Sequence, residues 1–112
     1  MKTLNEETIV ANSRFFDNDI NKVPRYALTV GVGTIMDARE VLLIISGLSK
    51  SRALKHGVEG SVSQQWTITA LQMHPKAIIV CDEPSCVDLR VGTYRYYKDI
   101  EKNNLDAKLL LK

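Results

Sequence analysis

Lys50 is the residue whose position in the sequence most clearly suggests chemistry. Residues 45–50 (ISGLSK) run from an apolar segment through Gly47 to a predicted helix start. A helix N-terminus offers free N–H groups and a positive dipole end to an anion, and ligands of parallel sheets lie beyond the carboxyl ends of the strands. A lysine in the first turn opposes the dipole, so a structural reason for it is weak. The pattern suggests a phosphate site, and a solvated surface lysine is the alternative.

Arg14 is the second candidate for binding an anion. It lies within NSRFF (residues 12–16), between apolar residues, and a guanidinium there could hold a phosphate through two parallel hydrogen bonds. The local sequence favours a different interpretation, in which Arg14 pairs with Asp17 or Asp19.

Other patterns with chemical meaning are incomplete. Gly31 and Gly33 begin a dinucleotide-binding fingerprint, but Met36 stands where the third glycine is required. His56 and His74 have no serine, cysteine or patterned acid in a triad or metal-ligand arrangement. We expect His56 on a helix surface, and His74 in a capping or solvent-facing role. No metal site and no cofactor are expected.

The two cysteines, Cys81 and Cys86, follow neither a zinc spacing nor C-x-x-C. Cys81 ends an apolar run, so we expect it to act as a small buried hydrophobic residue. A disulfide is not expected in a reducing compartment. Asp82 and Glu83 follow the same run, and they could line a cleft or cap a loop.

The elements that must position these residues alternate between apolar strands and helices. This order predicts an α/β fold with a mostly parallel sheet. Three strands are predicted, at residues 26–32, 40–46 and 77–81. The helices are predicted within residues 4–18 and at 50–58, 63–73 and 86–102, with a single turn at 35–38. Because residues 40–46 are continuously apolar, both faces of that strand should be covered. Three strands are few for such a sheet, and its edges would be exposed.

Composition limits the protein class. The chain has 112 residues, 45% hydrophobic and 25% charged, with a formal net charge of +2, which fits one soluble globular domain. So small a positive excess argues against nucleic-acid binding. The apolar runs of five residues are too short to span a membrane, and the N-terminus has no secretory pattern, so a cytoplasmic location is expected. We expect residues 103–112 to form a mobile tail.

Several stretches together resemble one enzyme family. They are VANSRFFD at residues 10–17, ALTVGVGT at 27–34, MDA at 36–38, the Gly47-x-x-Lys50 turn, HPK at 74–76 and VCDE at 80–83. In this order and spacing they are similar to glucosamine-6-phosphate deaminase, also called glucosamine-6-phosphate isomerase. The resemblance extends from Lys2 to about Glu101.

The resemblance implies an activity and a set of binding residues. The family is a hydrolase of N-acetylglucosamine catabolism that converts glucosamine 6-phosphate to fructose 6-phosphate and ammonia by aldose–ketose isomerisation and deamination. It implies that Arg14 and Lys50 hold the substrate phosphate, which reverses the local interpretation of Arg14. Bacterial members are often hexamers that N-acetylglucosamine 6-phosphate activates allosterically. The matching positions are Lys2, Thr3 and Tyr96, although the family's arginine two residues before Lys2 has no counterpart here.

The family's full chain is more than twice as long as this one. Its Gly-rich phosphate loop, ring-opening histidine and proton-transfer carboxylates lie in an N-terminal half that has no counterpart in residues 1–112. We therefore expect the C-terminal part of a single three-layer, doubly wound deaminase domain, with about three strands and flanking helices. It should contain no catalytic residue, be marginally stable and be inactive alone. The alternatives are a sugar-phosphate binding or subunit-interaction module that pairs with a missing N-terminal half, or another sugar-phosphate isomerase or lactonase of the same fold.

Overall fold

The computed structural model describes residues 1–102, so the tail expected at residues 103–112 lies outside the described residues. The described residues divide into two compact units, Met1–Gly31 and the residues from Val32 onward. Each unit is described by itself.

The first unit contains two paired strands of two residues each, one helix and two short 3-10 turns. Strands β1 (Lys2–Thr3) and β2 (Tyr26–Ala27) are antiparallel, and helix α1 spans Glu6–Asn12. The helix begins after Asn5 because the Asn5 side-chain oxygen accepts the backbone N–H of Thr8 at 2.8 Å. The 3-10 turns are Ser13–Phe15 and Ile20–Lys22. Ile9 and Val23 are the buried apolar residues of this unit.

The strand predicted at residues 26–32 is wrong for most of its length. Only Tyr26–Ala27 is extended and paired, and its partner is antiparallel β1 rather than a parallel strand. Leu28 and Val30 are 87% and 61% exposed. The preference of such residues for strands reflects packing on a half-buried pleated surface, and no described strand provides that surface here.

The second unit is built on a parallel pair of strands. Strands β3 (Val41–Ile45) and β4 (Ala77–Cys81) are in register from Val41 opposite Ala77 to Ile45 opposite Cys81. The helices are α2 (Val32–Met36), α3 (Ser51–Glu59) and α4 (Val91–Glu101), with 3-10 turns at Leu48–Lys50, Thr67–Met73 and Pro84–Cys86. This parallel pair with flanking helices is part of an α/β fold, as predicted. In the described part of the chain the parallel sheet has two strands, not three.

Two predicted helices differ from the structure, one in type and one in where it begins. Instead of one helix over 63–73, residues 67–73 form a 3-10 turn, because the buried Thr69 hydroxyl donates to the carbonyl of Trp66 at 2.6 Å and accepts the N–H of Ser63 at 2.8 Å. The last helix begins at Val91 rather than at 86. The carboxylate of Glu59 accepts the backbone N–H of Arg90 at 2.8 Å and holds Arg90 extended just before the helix.

One face of the parallel pair is exposed, which corrects the expectation that residues 40–46 are covered on both faces. Alternate residues of β3 and β4 share this face, which we call the open face: Leu42, Ile44, Ile78 and Val80 are 63%, 72%, 61% and 50% exposed. The opposite face carries the buried Ile45 and the half-buried Val41, Leu43 and Ile79. No described element covers the open face.

Within residues 1–102, no helix combines the length and the apolar character that a membrane crossing requires.

Candidate phosphate site

The segment between β3 and α3 is shaped by a glycine and by a carboxylate from the neighbouring strand. Gly47 has a φ of +88°, a conformation that side-chain-bearing residues rarely adopt. Its N–H donates to both carboxylate oxygens of Asp82, at 3.1 and 3.0 Å. Because Ile45 and Cys81 are opposite each other in the sheet, Asp82 leaves β4 at the level where β3 ends. We call this arrangement the Gly47 turn.

Asp82 is held in place from its own side as well. The N–H of Ser85, which is fully buried, donates to Asp82 Oδ1 at 3.0 Å, and the Ser85 hydroxyl donates to the Asp82 carbonyl at 2.8 Å. The hydrogen bond from Gly47 is the main cause that lowers the pKa of Asp82, and those from Ser85 lower it further. Asp82 is therefore a loop-capping carboxylate that stays ionised at neutral pH.

Lys50 lies at the end of the Gly47 turn. It closes the 3-10 turn Leu48–Lys50 and precedes the first residue of α3, and its side chain is exposed. Its ammonium group makes no ion pair or hydrogen bond with residues 1–102. The start of α3 is fixed by the Ser51 hydroxyl, which donates to Asp88 at 2.6 Å, and by the buried side chain of Leu54. Lys50 thus places a cation at the start of an anchored helix, where the N–H groups of Lys50 and Ser51 already donate to the carbonyls of Gly47 and Leu48.

Arg14 lies in the 3-10 turn that follows α1, and its side chain is exposed. Its guanidinium lies over the ring of Phe15, 4.7 Å from the centroid. The pairing that the local sequence favoured is wrong in this structure. Asp17 pairs with Lys22 at 3.3 Å, and the carboxylate of Asp19 accepts the N–H of Asn21 at 2.9 Å. Arg14 belongs to the first unit and Lys50 to the second.

The three residues matched to an allosteric site are all exposed. Lys2 and Thr3 form β1 in the first unit. Tyr96 lies on α4 in the second unit, with its ring edge-on to that of Tyr97 at a centroid distance of 5.3 Å.

His74 is a buried structural residue rather than the solvent-facing one allowed for by the sequence. Its Nε2 lies 2.8 Å from the carbonyl oxygen of Ala38, and its Nδ1 accepts the backbone N–H of Lys76 at 3.0 Å. These bonds fix the tautomer with the proton on Nε2, so His74 ties the start of β4 to the segment before β3. His56, on α3 as expected, stacks on Trp66 with ring centroids 4.2 Å apart.

A polar cluster on α4 was not foreseen from the sequence. The Tyr94 hydroxyl donates to Glu83, and Lys98 lies 3.1 Å from the Tyr94 oxygen and 3.7 Å from Glu83. Tyr94 and Lys98 are four residues apart, a helical spacing that could have indicated contact between them. Within residues 1–102, no group of three or more His, Cys, Asp or Glu side chains could hold a metal ion.

Sequence comparison relates the chain to one group of curated proteins. No family model matches the chain. A glucosamine-6-phosphate deaminase of Parabacteroides distasonis is 64% identical over 112 residues, which is 100% of this chain and 42% of the relative. One of Fusobacterium nucleatum is 59% identical over 110 residues, 98% of this chain and 40% of the relative. The chain is homologous to the C-terminal portion of the glucosamine-6-phosphate deaminases.

A solved structure supports the same relationship. A monomeric glucosamine-6-phosphate deaminase of the NagB superfamily matches with a TM-score of 0.73 and 39% identity, over 80% of this chain and 36% of that one. The chain spans about two-fifths of the length of the curated glucosamine-6-phosphate deaminases that it matches. The deaminase neighbour is monomeric, so homology alone does not establish the hexamer expected from the sequence.

Proposed function

We propose that this chain is the phosphate-holding portion of a glucosamine-6-phosphate deaminase. The reaction is the hydrolytic conversion of glucosamine 6-phosphate to fructose 6-phosphate and ammonia, in the amino-sugar catabolism of the cytoplasm. The observation that carries the proposal is the Gly47 turn, which puts Lys50 at the N-terminus of α3 with an ammonium group that has no partner among residues 1–102. The homology to deaminases at 59–68% identity supports the choice of ligand.

Each part of the site has a definite role in this proposal. Lys50 supplies a full positive charge and the N-terminus of α3 supplies a partial one. Asp82 holds the turn as an ionised carboxylate that accepts the N–H groups of Gly47 and Ser85. Arg14 enters this proposal through the family resemblance alone, and its exposed guanidinium, which pairs with neither Asp17 nor Asp19, is available to bind a phosphate.

Catalysis itself requires groups beyond these. Proton transfer at C1 and C2 of the sugar needs a base within hydrogen-bond reach of those carbons. Holding a phosphate without such a base gives binding but no turnover. We therefore propose that residues 1–112 bind the phosphosugar and have no deaminase activity until a complementary N-terminal portion is supplied.

The second candidate function is a subunit-interaction module, and the open face favours it. The open face is an apolar surface of a kind that folded proteins normally cover, and it consists of Leu42, Ile44, Ile78 and Val80. The N-terminal portion of a deaminase is the partner that this proposal names. Assembly into a hexamer, and allosteric activation through Lys2, Thr3 and Tyr96, belong to the same proposal.

Binding of glucosamine 6-phosphate to the chain, followed by NMR titration, tests the first proposal. Lys50→Gln should raise the dissociation constant about 10- to 100-fold, because a hydrogen bond to a charged group contributes about 1.5–3 kcal/mol. Lys55→Gln is the matched control, since Lys55 is an exposed lysine further along α3 and its replacement changes the net charge equally.

Equal weakening by the two variants would show a diffuse charge effect and would reject Lys50 as a phosphate ligand. Absence of binding to the unaltered chain, alone and with the N-terminal portion of the Parabacteroides distasonis relative, would reject the proposal as a whole. Fructose 6-phosphate formation by the unaltered chain alone would reject the statement that catalysis needs a second portion.

A further inference from the structure

The end of β4 carries two thiols that the proposed function does not use. Cys81 is the last residue of β4, and Cys86 is the last residue of the 3-10 turn Pro84–Cys86. Their Sγ atoms lie 3.6 Å apart, Cys81 is exposed rather than buried as the sequence suggested, and Cys86 is half-buried. The chain has two cysteines, so only one disulfide can form within a molecule.

The turn between the two cysteines is held in the shape that brings them together. The fully buried Ser85 bonds to Asp82 through both its N–H and its hydroxyl, and the N–H of Cys86 donates to the Glu83 carbonyl at 3.0 Å. A disulfide requires an S–S distance of about 2.05 Å, so the sulfurs must approach by about 1.5 Å.

We propose that Cys81 and Cys86 form a reversible disulfide when the protein meets a low-molecular-weight disulfide such as oxidised glutathione. One protein thiolate attacks a sulfur of the oxidant, which forms a mixed disulfide and releases one glutathione thiolate. The second protein thiolate attacks the protein sulfur of that mixed disulfide and releases the second glutathione. In the balance, the two cysteines lose two protons and two electrons, and the oxidant takes up both electrons and both protons to become two glutathione molecules.

Oxidation would change the hydrogen bonds of the residue that organises the Gly47 turn. The thiol of Cys86 donates to the Asp82 carbonyl at 3.2 Å, and a disulfide sulfur has no hydrogen to donate. The Asp82 carboxylate accepts the N–H of Gly47, 35 residues away in sequence. Oxidation of the thiols should therefore change the environment of the Gly47 N–H group. Desolvation raises the pKa of Cys81 to about 11, which keeps this thiol protonated near neutral pH and slows its attack on the oxidant.

The test is treatment of the full chain with oxidised glutathione, followed by intact-mass spectrometry and NMR. We expect the main product to lose the mass of two hydrogen atoms, to regain it with dithiothreitol, and to show shifted amide resonances for Gly47 and Ser85. Cys81→Ser and Cys86→Ser are matched controls that keep the size of the side chain. Each should instead stop at a stable glutathione adduct.

Three results would overturn the proposal: stable glutathione adducts on the unaltered chain, dimers linked between molecules, or an unmodified chain under conditions that modify the single variants. A disulfide that leaves the Gly47 resonance unshifted would reject the coupling to the turn. None of these measurements involves phosphate binding, so the redox proposal can fail while the phosphate proposal stands, and the reverse.

Discussion

Ile44→Lys should separate the stability of this chain from its ability to associate with a partner. Ile44 lies in β3 opposite Val80, and 72% of its surface is exposed. A substitution at so exposed a site, away from hydrogen bonds and tight packing, changes the free energy of unfolding by about 0.5 kcal/mol or less. We therefore expect the isolated variant to melt close to the temperature of the unaltered chain.

The effect on association should be much larger. Full burial of a valine, leucine or isoleucine side chain contributes about 1.5–3 kcal/mol. The four side chains of the open face keep 50–72% of their surface exposed, so covering them offers about 1–2 kcal/mol each, or about 4–8 kcal/mol in total. A lysine at position 44 removes the contribution of the isoleucine to association, and burial of its unpaired ammonium group costs several kcal/mol more. The dissociation constant should rise at least about 100-fold.

Isothermal titration with the N-terminal portion of the Parabacteroides distasonis relative measures this constant, and fructose 6-phosphate formation provides a second readout. Gln64→Lys is the control, because Gln64 is exposed, lies outside the strands and gives the same change in net charge. Equal affinity for Ile44→Lys and Gln64→Lys would refute the assignment of the open face as the contact surface. A melting temperature well below that of the control would show instead that the isolated chain already covers this face.

Three further predictions concern the fold around the site. The amide resonance of Gly47 should follow the titration of Asp82 with a midpoint below the ordinary value of about 3.9. The hydrogen bond from Gly47 to the Asp82 carboxylate stabilises the turn fully above about pH 3.9, the ordinary pKa of an aspartate. That stabilisation is lost as the pH falls through the lowered pKa of Asp82, which an NMR pH series measures. In Gly57→Ala the new methyl group would lie 2.9 Å from Cδ1 of Ile68, whereas in Gly92→Ala it meets no atom of the described residues within 4 Å. Gly57→Ala should therefore be less stable than Gly92→Ala by about 1–3 kcal/mol in thermal melts. Leu54→Ala, at a side chain that is 1% exposed, should cost about 2–5 kcal/mol in denaturant unfolding.

The strands that the sequence predicts correctly are those with short continuous apolar runs. Residues 41–45 and 77–81 pair in parallel because both runs are uniformly apolar and each is followed by a turn. The same reasoning fails for residues 26–32, where Leu28 and Val30 have no described strand beside them. Strand preference needs a neighbouring surface, and a sequence pattern does not say whether that surface is supplied by the same stretch of chain.

The candidate site was foreseen in part. The prediction of Lys50 depends on a local pattern, a glycine between an apolar strand and a helix. The role of Asp82 is not local, because its partner Gly47 is 35 residues away. Once β3 and β4 are known to be parallel and in register, however, the residues that follow Ile45 and Cys81 must emerge side by side. The contact between Asp82 and Gly47 therefore follows from the register of the two strands, whereas the spacing of residues in the sequence does not predict it.

The same two strands carry the proposed phosphate site at their ends and the open face along their length. The Gly47 turn depends on Asp82, Ser85 and the register of the pair, all of which are formed within the second unit. Nothing in that geometry requires the open face to be covered. Phosphate binding and association with an N-terminal portion should therefore be separable. Ile44→Lys should abolish reconstituted activity while the isolated chain still binds glucosamine 6-phosphate, and Lys50→Gln should weaken that binding while association is unchanged. If either variant lost both properties, the phosphate site would depend on the partner for its shape.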